Sequence, residues 1–477
     1  LRAAFWSFEN FELETVAHAL LGRGKAIAKD TDKVAEISRL FIDDKGQLAY
    51  YNLEDCRLVS EIFAKTGLVD FAVRRAELTG LGMDRFGGAV AAFDNLYLPR
   101  LHRKGRVAPD RDDVKQGPAS PGGYVMDSKP GLYDNVLLLD FKSLYPSIIR
   151  TFKVDPFGMF EPGEDPVPGF LEASFSRDGA ILPELIGKLW EAREEAKKHD
   201  DRALSQAVKI LMNSFYGVLA AEGCRFYDSR LASSITRRGH EIIQQSRDYL
   251  EDKGFPVIYG DTDSLFVLLG EAIEESEARS LGTSLAQSLN GWWRGRLEQE
   301  FKIDSFLEIE FETHYLRFLM PTVRGERTGS KKRYAGLVRE GVNGHDVVFK
   351  GLESVRTDWT PLARRFQREL YRRVFMNEPF ESFVQQTLAS LLKGELDQEL
   401  VYRKRLRRPI DTYHRNIPPH VQAAKKLSRP VRWVNYIITA NGPEGATLDV
   451  APFGAVAIPA HKAERLTGQG PAQLVLR

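Results

Sequence analysis

The chain has 477 residues, 43% of them hydrophobic, which is enough for more than one buried core and too much for a small scaffold held together by disulfides. Its 67 Lys and Arg stand against 66 Asp and Glu, a formal net charge of +1 that excludes a uniformly basic or acidic protein, so any nucleic-acid footprint has to be a local patch. The two cysteines, Cys56 and Cys224, lie outside any CxxC spacing and no apolar run reaches the roughly 18 residues of a spanning helix, so a disulfide framework, a cysteine zinc site and a membrane role are excluded and a reducing cytoplasm is expected.

The chain opens at Leu1 without an initiator Met or a charged leader, and an upstream portion is expected. From Leu1 to about Phe71 apolar residues such as Val16, Leu20, Leu40, Leu58 and Ile62 recur mostly at helical spacing, and the stretch reads as helical. Gly80, Gly82, Gly87, Gly88, Pro99, Pro109, Pro118, Pro121, Gly122 and Gly123 then punctuate a passage expected to hold connecting segments, turns and a domain boundary. Asn135 to Asp140 is an apolar run closed by a carboxylate, the pattern of a buried strand that delivers Asp140 at its end. Helical segments near Glu184–Lys198 and Ala203–Tyr216, joined by the polar turn His199-Asp200-Asp201, are expected to pair as an antiparallel hairpin, with Gly217 as the C-cap of the second. Val257–Tyr259 and Leu265–Leu269 flank Gly260-Asp261-Thr262-Asp263-Ser264, a β-hairpin signature with acids at its tip, and Phe306–Phe311 and Tyr315–Leu319 add two strand candidates. After Gly351 the pattern turns helical and basic, with Tyr402–Arg408 the densest positive run, and from about Gly445 the chain is poor in charge and rich in Ala, Gly and Pro.

Asp140 and the pair Asp261/Asp263 are carboxylate-bearing strand ends that can converge on one sheet. Oxygen ligands suit hard Mg²⁺, and two such ions about 3.5–4 Å apart activate an attacking oxygen and steady a leaving one in phosphoryl transfer. Any one of these acids alone is better explained as a turn residue or helix cap, but two acidic strand ends within longer specific strings favour metal binding. In the second helix of the hairpin Gln206, Lys209, Asn213 and Tyr216 share one face. In its partner Arg193 and Lys197 stand at i,i+4, a like-charge pair that an anion such as a triphosphate would relieve, while Glu194 and Lys198 leave a solvated charged face as the alternative.

Three strings carry a family resemblance. Asp140-Phe141-Lys142-Ser143-Leu144-Tyr145-Pro146-Ser147-Ile148-Ile149 resembles motif A of the family B DNA polymerases, Lys209-Ile210-Leu211-Met212-Asn213-Ser214-Phe215-Tyr216-Gly217 resembles motif B, and Tyr259-Gly260-Asp261-Thr262-Asp263-Ser264 resembles motif C, in the family's order. Lys331-Lys332-Arg333-Tyr334 is similar to the primer-gripping KKRY element, and Lys350-Gly351-Leu352-Glu353-Ser354-Val355-Arg356 to the string between palm and thumb. The wording around Met126-Asp127-Ser128, Ile149-Arg150-Thr151 and Arg230–Ser234 most resembles a bacterial, damage-inducible branch of the family.

The resemblance implies a mixed α/β right-hand polymerase with a palm sheet, helical fingers, a helical thumb and the remnant of a ribonuclease H-like exonuclease domain. The expected divisions are exonuclease remnant 1–70, connecting segment 71–130, palm 131–182, fingers 183–234, palm 235–350 and thumb 351–477, the last atypical after about residue 443. By the same resemblance Asp140, Asp261 and Asp263 are catalytic, with Asp140, Asp263 and the Phe141 carbonyl as ligands of two Mg²⁺ ions for which Mn²⁺ can substitute. Ser143, Leu144, Tyr145, Arg193, Lys197, Lys209, Asn213 and Tyr216 would hold the incoming deoxynucleoside triphosphate, with Tyr145 as the steric gate against ribose. Lys331, Lys332, Arg333 and Tyr334, and a thumb patch of Arg403, Lys404, Arg405, Arg407 and Arg408, would grip primer and template.

Two departures from the family pattern shape the expectation. Tyr51-Asn52-Leu53-Glu54-Asp55 is similar to the third exonuclease motif, but the first two would precede Leu1, so Tyr51 and Asp55 are expected to be relics without exonuclease activity. Beyond Asn441-Gly442-Pro443 the expected Tyr-rich thumb helices are missing, and Gln473-Leu474-Val475-Leu476 only faintly resembles a peptide that binds the bacterial sliding clamp, with Arg477 in place of the aromatic. The expected function is template-directed DNA synthesis by a monomeric bacterial repair or translesion polymerase. The alternatives are a catalytically silent template–primer binding protein and, less favoured because its motif set is incomplete, a nuclease.

Overall fold

The computed structural model describes residues 1–4, 6, 8, 11–26, 33–85, 88–114, 117, 119–270, 273–322, 329–340, 344–356, 358–414, 417–427, 433–439 and 442–445. Helices α1 (Leu13–Leu21), α2 (Lys33–Asp43), α3 (Lys45–Thr66), α4 (Leu68–Thr79) and α5 (Ala89–Arg103) lead to strand β1 (Gly131–Phe141) and helices α6 (Leu144–Thr151) and α7 (Pro156–Phe160). The short strands β2 (Val167–Pro168) and β3 (Ser174–Phe175) precede α8 (Ile181–Lys198), α9 (Arg202–Leu219) and α10 (Ser229–Asp252). Then come β4 (Val257–Asp261), β5 (Ser264–Leu268), α11 (Glu275–Phe301), β6 (Ile309–Met320), β7 (Tyr334–Glu340) and β8 (Gly344–Lys350). The last part holds α12 (Pro361–Phe375), α13 (Glu381–Leu392), β9 (Tyr402–Arg405), α14 (Pro419–Lys425), β10 (Trp433–Thr439) and β11 (Gly442–Gly445).

The chain divides into two compact units, one of residues 1–123, 142–242 and 290–308 and one of residues 124–141, 243–289 and 309–477. The first is almost entirely helical, as the periodicity of the N-terminal stretch requires. In it α8 and α9 form the expected hairpin, with Asp201 accepting the Leu204 N–H at 2.9 Å as N-cap. Gly217 does not end α9, which runs on to Leu219. A glycine inside a helix costs about 1 kcal/mol, and burial of Val218 and Leu219 outweighs it. The Gly/Pro passage likewise holds more than turns: α5 buries Phe93, Tyr97 and Leu101 on one stripe despite Pro99. The Tyr97 ring packs on Phe93 and Phe226, and its hydroxyl donates to Asp155 Oδ1 at 2.9 Å. Asp155 is fully buried and also accepts the N–H groups of Gly158 and Leu182, closing the first turns of α7 and α8 with one carboxylate.

The second unit is built on a six-stranded antiparallel sheet of order β4-β5-β1-β6-β7-β8. The centre of β1, Val136–Leu139, is buried on both faces, which is why it reads as an unbroken apolar run. On one face Val136, Leu138, Tyr259, Phe266, Tyr315 and Phe318 form a core cluster, with Tyr334 packed against it. The two strand candidates after residue 305 are one strand, β6. A separate three-stranded sheet, β11-β10-β9, lies within the last hundred residues. The basic run therefore begins as a strand and not as part of a helix: alternation sets Tyr402 against Tyr436 and Lys404 against Val434, and the two Tyr rings stack. No described helix is long and apolar enough to cross a membrane.

Candidate active site

The second unit carries the acids. Asp140 at the end of β1 is in register with Ser264 of β5, and Ser264 is in register with Asp261 of β4, so the three side chains stand in a row across neighbouring strands on one face. Asp263 sits in the turn between β4 and β5. Thr262 holds a φ of 58°, an uncommon value for a β-branched residue, and the Asp263 N–H closes back on the Asp261 carbonyl at 2.6 Å. The turn is tied down from outside by the Thr262 N–H donating to the Tyr124 carbonyl and by the Asp263 carbonyl accepting the Phe141 N–H. The last bond fixes the two motif strings to each other.

Burial first, then the neighbouring Asp261, and to a smaller degree Glu312, push the Asp263 carboxyl up to about 6. Asp261 is the better satisfied acid: it accepts from Thr262 Oγ1 at 2.9 Å and from the Tyr259 hydroxyl at 3.5 Å, and Lys332 Nζ lies 3.4 Å away. Glu312 is the acid that the motif strings miss. A bulge in β6 opposite Leu138 and Leu139 leaves it as the extra residue, and it lines a cavity of about 560 Å³ with Asp140, Ser264 and Lys350. The alternation of Glu310 and Glu312 along a strand is the signal that would have found it. Among the described residues no three or more His, Cys, Asp or Glu side chains close into a metal cage.

The KKRY string is anchored to this turn. The Lys332 N–H donates to the Tyr259 hydroxyl at 2.9 Å, and Gly351, at a φ of +62°, passes so close that an added Cβ would lie 2.2 Å from the Lys332 carbonyl oxygen. Each cation of the string rests on an acid: Lys331 on Asp127 at 3.1 Å, Lys332 on Asp261, and Arg333 on Glu353 at 3.8 Å. Tyr334 differs from the three, since its ring packs against Phe266 and Phe318 in the core cluster and burial raises its hydroxyl well above the ordinary value.

The first unit carries the expected nucleotide-binding residues. Along α9 Lys209 and Asn213 are exposed and Gln206 and Tyr216 half-buried, while Val208, Leu211, Met212 and Phe215 are buried, so the polar stripe faces outward as its spacing requires. On α8 Lys197 leans on Glu194 at 2.7 Å, which relieves the like-charge pair locally, and Arg193 keeps a buried Nε with no hydrogen-bond partner among the described residues. Ser143 stands at a φ of 47° at the head of α6, whose first turn has no side-chain cap among the described residues. The Tyr145 ring lies 4.6 Å from that of Tyr216, and a Cβ on Gly239 would touch it at 3.5 Å.

Other expected residues have structural partners. In α3 Asp55 pairs with Lys25 at 2.6 Å, and the same ammonium lies 5.0 Å from the Tyr51 ring, so a lysine charge sits against both residues expected to be exonuclease relics. In the basic run Lys404 reaches Asp358 at 3.5 Å and Arg403 lies over the Trp433 ring, whereas Arg407 and Arg408 are exposed. The altered tail Thr447–Arg477, including Gln473–Leu476, lies outside the described residues.

These strings, in this order and on this sheet and hairpin, are those of one family. The chain belongs to DNA polymerase family B, whose family model matches residues 87–435. It is similar to DNA polymerase II of Escherichia coli (strain K12), 55% identical over 470 residues, covering 95% of this chain and 60% of that protein. The bacterial branch expected from the motif wording is thereby borne out. A DNA polymerase of Pyrococcus glycovorans is 29% identical over 472 residues (91% and 56%), and the DNA polymerase alpha catalytic subunit of Oryza sativa subsp. japonica is 30% identical over 343 residues (67% and 21%). The chain thus spans 60% of the length of the DNA polymerase II that it matches.

Proposed function

We propose that this chain catalyses template-directed DNA synthesis: attack of a primer 3′-hydroxyl on the α-phosphate of a deoxynucleoside triphosphate, with release of pyrophosphate. The observation that carries the reading is the row Asp140, Ser264, Asp261 with Asp263 in the turn, its carboxyl held up to about 6 by burial and by the acids beside it. Such a group favours a cation as neighbour. Two Mg²⁺ ions, or Mn²⁺ in their place, fit the oxygen donors of Asp140, Asp263 and the Phe141 carbonyl, with water and substrate phosphates completing their shells. Bound there, they would supply charge neutralisation for the attacking and leaving oxygens.

The protein's own part is positioning. Asp261 acts as a support, because its carboxylate is already engaged by Thr262, Tyr259 and Lys332. Arg193, Lys197, Lys209 and Asn213 hold the triphosphate. The Arg193 Nε gains the acceptor it lacks, and Lys197 exchanges Glu194 for phosphate. The N–H groups of Ser143 and Leu144 at the uncapped head of α6 hydrogen-bond phosphate oxygens. Tyr145, braced by Tyr216 and with Gly239 beneath it, forms a wall under the sugar. Lys331, Lys332 and Arg333 exchange their carboxylate partners for primer phosphates, while Tyr334 supports them from the core. Arg403–Arg408 contributes a thumb patch through its exposed members.

In this reading the six-stranded sheet is the palm, α8 and α9 are the fingers, the segment after 350 is the thumb, and residues 1–70 are the exonuclease remnant. A repair or translesion role belongs to the same proposal and is tested by extension past a template lesion. The basic test is extension of an end-labelled primer on a longer template, with and without the four deoxynucleotides. Elongation supports the polymerase, binding without change of length supports the silent binder, and shortening supports the nuclease.

A further inference from the structure

Away from the acid row, the second unit holds a cavity of about 610 Å³ lined by β8 and by α12 from Pro361 to Arg372, together with Ser354. Ser354 is 2% exposed, and its N–H donates to Gln367 Oε1 at 2.7 Å, yet its hydroxyl has no hydrogen-bond partner among the described residues. The Nε of Arg364 is likewise buried and without a partner among the described residues, and Arg364 belongs to the same lining. Two orphaned donors in one cavity call for an acceptor, because unsatisfied buried polar groups are rare and costly.

The charge of the cavity says which acceptor. Four arginines of α12 line it beside two acids, Glu369 and Asp346, the latter accepting the Val347 N–H at 2.8 Å. Arg365 is held bidentately by Glu399 at 3.0 and 2.9 Å, and Arg372 by Glu369 and Glu378. Arg364 and Arg368 have no carboxylate partner among the described residues; Arg368 lies over the Phe349 ring at 5.6 Å, and Arg364 stands one turn before it, so two like charges share a helix face. A planar carboxylate is suited to one guanidinium fork. A tetrahedral oxyanion accepts from several directions at once, which is what a hydroxyl and two guanidinium groups from separate positions offer.

We propose that this cavity is a phosphate-binding site, with Ser354, Arg364 and Arg368 as its ligands. The phosphate is either a phosphodiester of a DNA strand or a free phosphate species; the chemistry of recognition is the same for both. Binding is read without turnover, so the proposal stands or falls separately from the polymerase reading.

The test titrates inorganic phosphate into the full chain at ionic strength held constant with NaCl, reading thermal unfolding and ³¹P line width. A saturable response is expected, weakened about tenfold or more in Ser354→Ala and in Arg364→Gln/Arg368→Gln. Arg368 is exposed, so Arg368→Gln alone keeps the test valid if either of those variants fails to fold. Competition by a single-stranded oligonucleotide assigns the site to a DNA strand, and lack of competition assigns it to free phosphate. No saturable response to either probe, or the same affinity in wild type and Arg368→Gln, would overturn the proposal.

Discussion

Replacing Asp263 by Asn should make the protein more stable at neutral pH while removing its activity. The folded-state carboxyl lies at about 6 against an ordinary value of 3.8, raised by burial and then by Asp261. A group whose folded value is raised contributes stability that is fully present below the unfolded value and is lost as pH rises through the folded one. Above pH 6 the ionised Asp263 is therefore a cost. Two pKa units correspond to about 3 kcal/mol at most, and partial solvent contact reduces this to about 1–3 kcal/mol. The neutral amide removes that charge. In EDTA at pH 7.5, Asp263→Asn should melt higher by roughly 2–4 °C per kcal/mol for a unit of this size, with the gain shrinking towards zero between pH 6 and 4. Mg²⁺ should then stabilise the wild type more than the variant. Thermal unfolding of both chains at pH 7.5, 6 and 4.5, at fixed ionic strength, checks this, and the difference between chains cancels groups they share. A variant less stable than wild type at pH 7.5 in EDTA, or a gain indifferent to pH, would refute the reasoning.

Tyr145→Ala should incorporate ribonucleotides far better than wild type while Tyr145→Phe stays selective, because the proposed wall under the sugar rests on the ring's bulk against Tyr216 and not on its hydroxyl; single-nucleotide insertion with matched ribo- and deoxyribo-substrates decides it. Gly351→Ala places a Cβ 2.2 Å from the Lys332 carbonyl at positive φ, so it should cost about 1–3 kcal/mol and weaken primer binding, both readable by urea unfolding and by filter binding. No appreciable 3′→5′ exonuclease activity is expected, since Lys25 neutralises Asp55; digestion of a mismatched primer that vanished on Asp55→Ala would contradict this. Arg407→Ala with Arg408→Ala should lower template–primer affinity for all sequences alike and flatten its salt dependence by about one counterion per lost phosphate contact, and an unchanged slope would assign those residues to a merely solvated surface.

The elements with one dominant periodicity were legible. β1 reads as a buried strand because both its faces are covered, and α9 shows its polar stripe because its other residues are core. Local punctuation misled where tertiary burial overrode it. Pro99 and Gly217 look like breaks, but Phe93 and Tyr97 on one side and Val218 and Leu219 on the other carry the helices through them. The run Tyr402–Arg405 is too short to show a period, and its strand character comes from a partner thirty residues away. The same limit applies to the site. Asp140, Asp261 and Asp263 sit in strings that announce themselves, whereas Glu312 reaches the site through a bulge, and the Tyr259 hydroxyl through a contact with Lys332 seventy-three residues further on.

The most direct test of the central claim is a paired measurement on Asp140→Asn, whose side chain stands in the acid row but outside the basic elements proposed to grip DNA. Binding of a primer–template by anisotropy and extension of the same primer with four deoxynucleotides and Mg²⁺ should part company: affinity close to wild type, extension abolished. Extension by Asp140→Asn at near wild-type rate would contradict the account, and so would a wild-type chain that binds the primer–template and leaves its length unchanged.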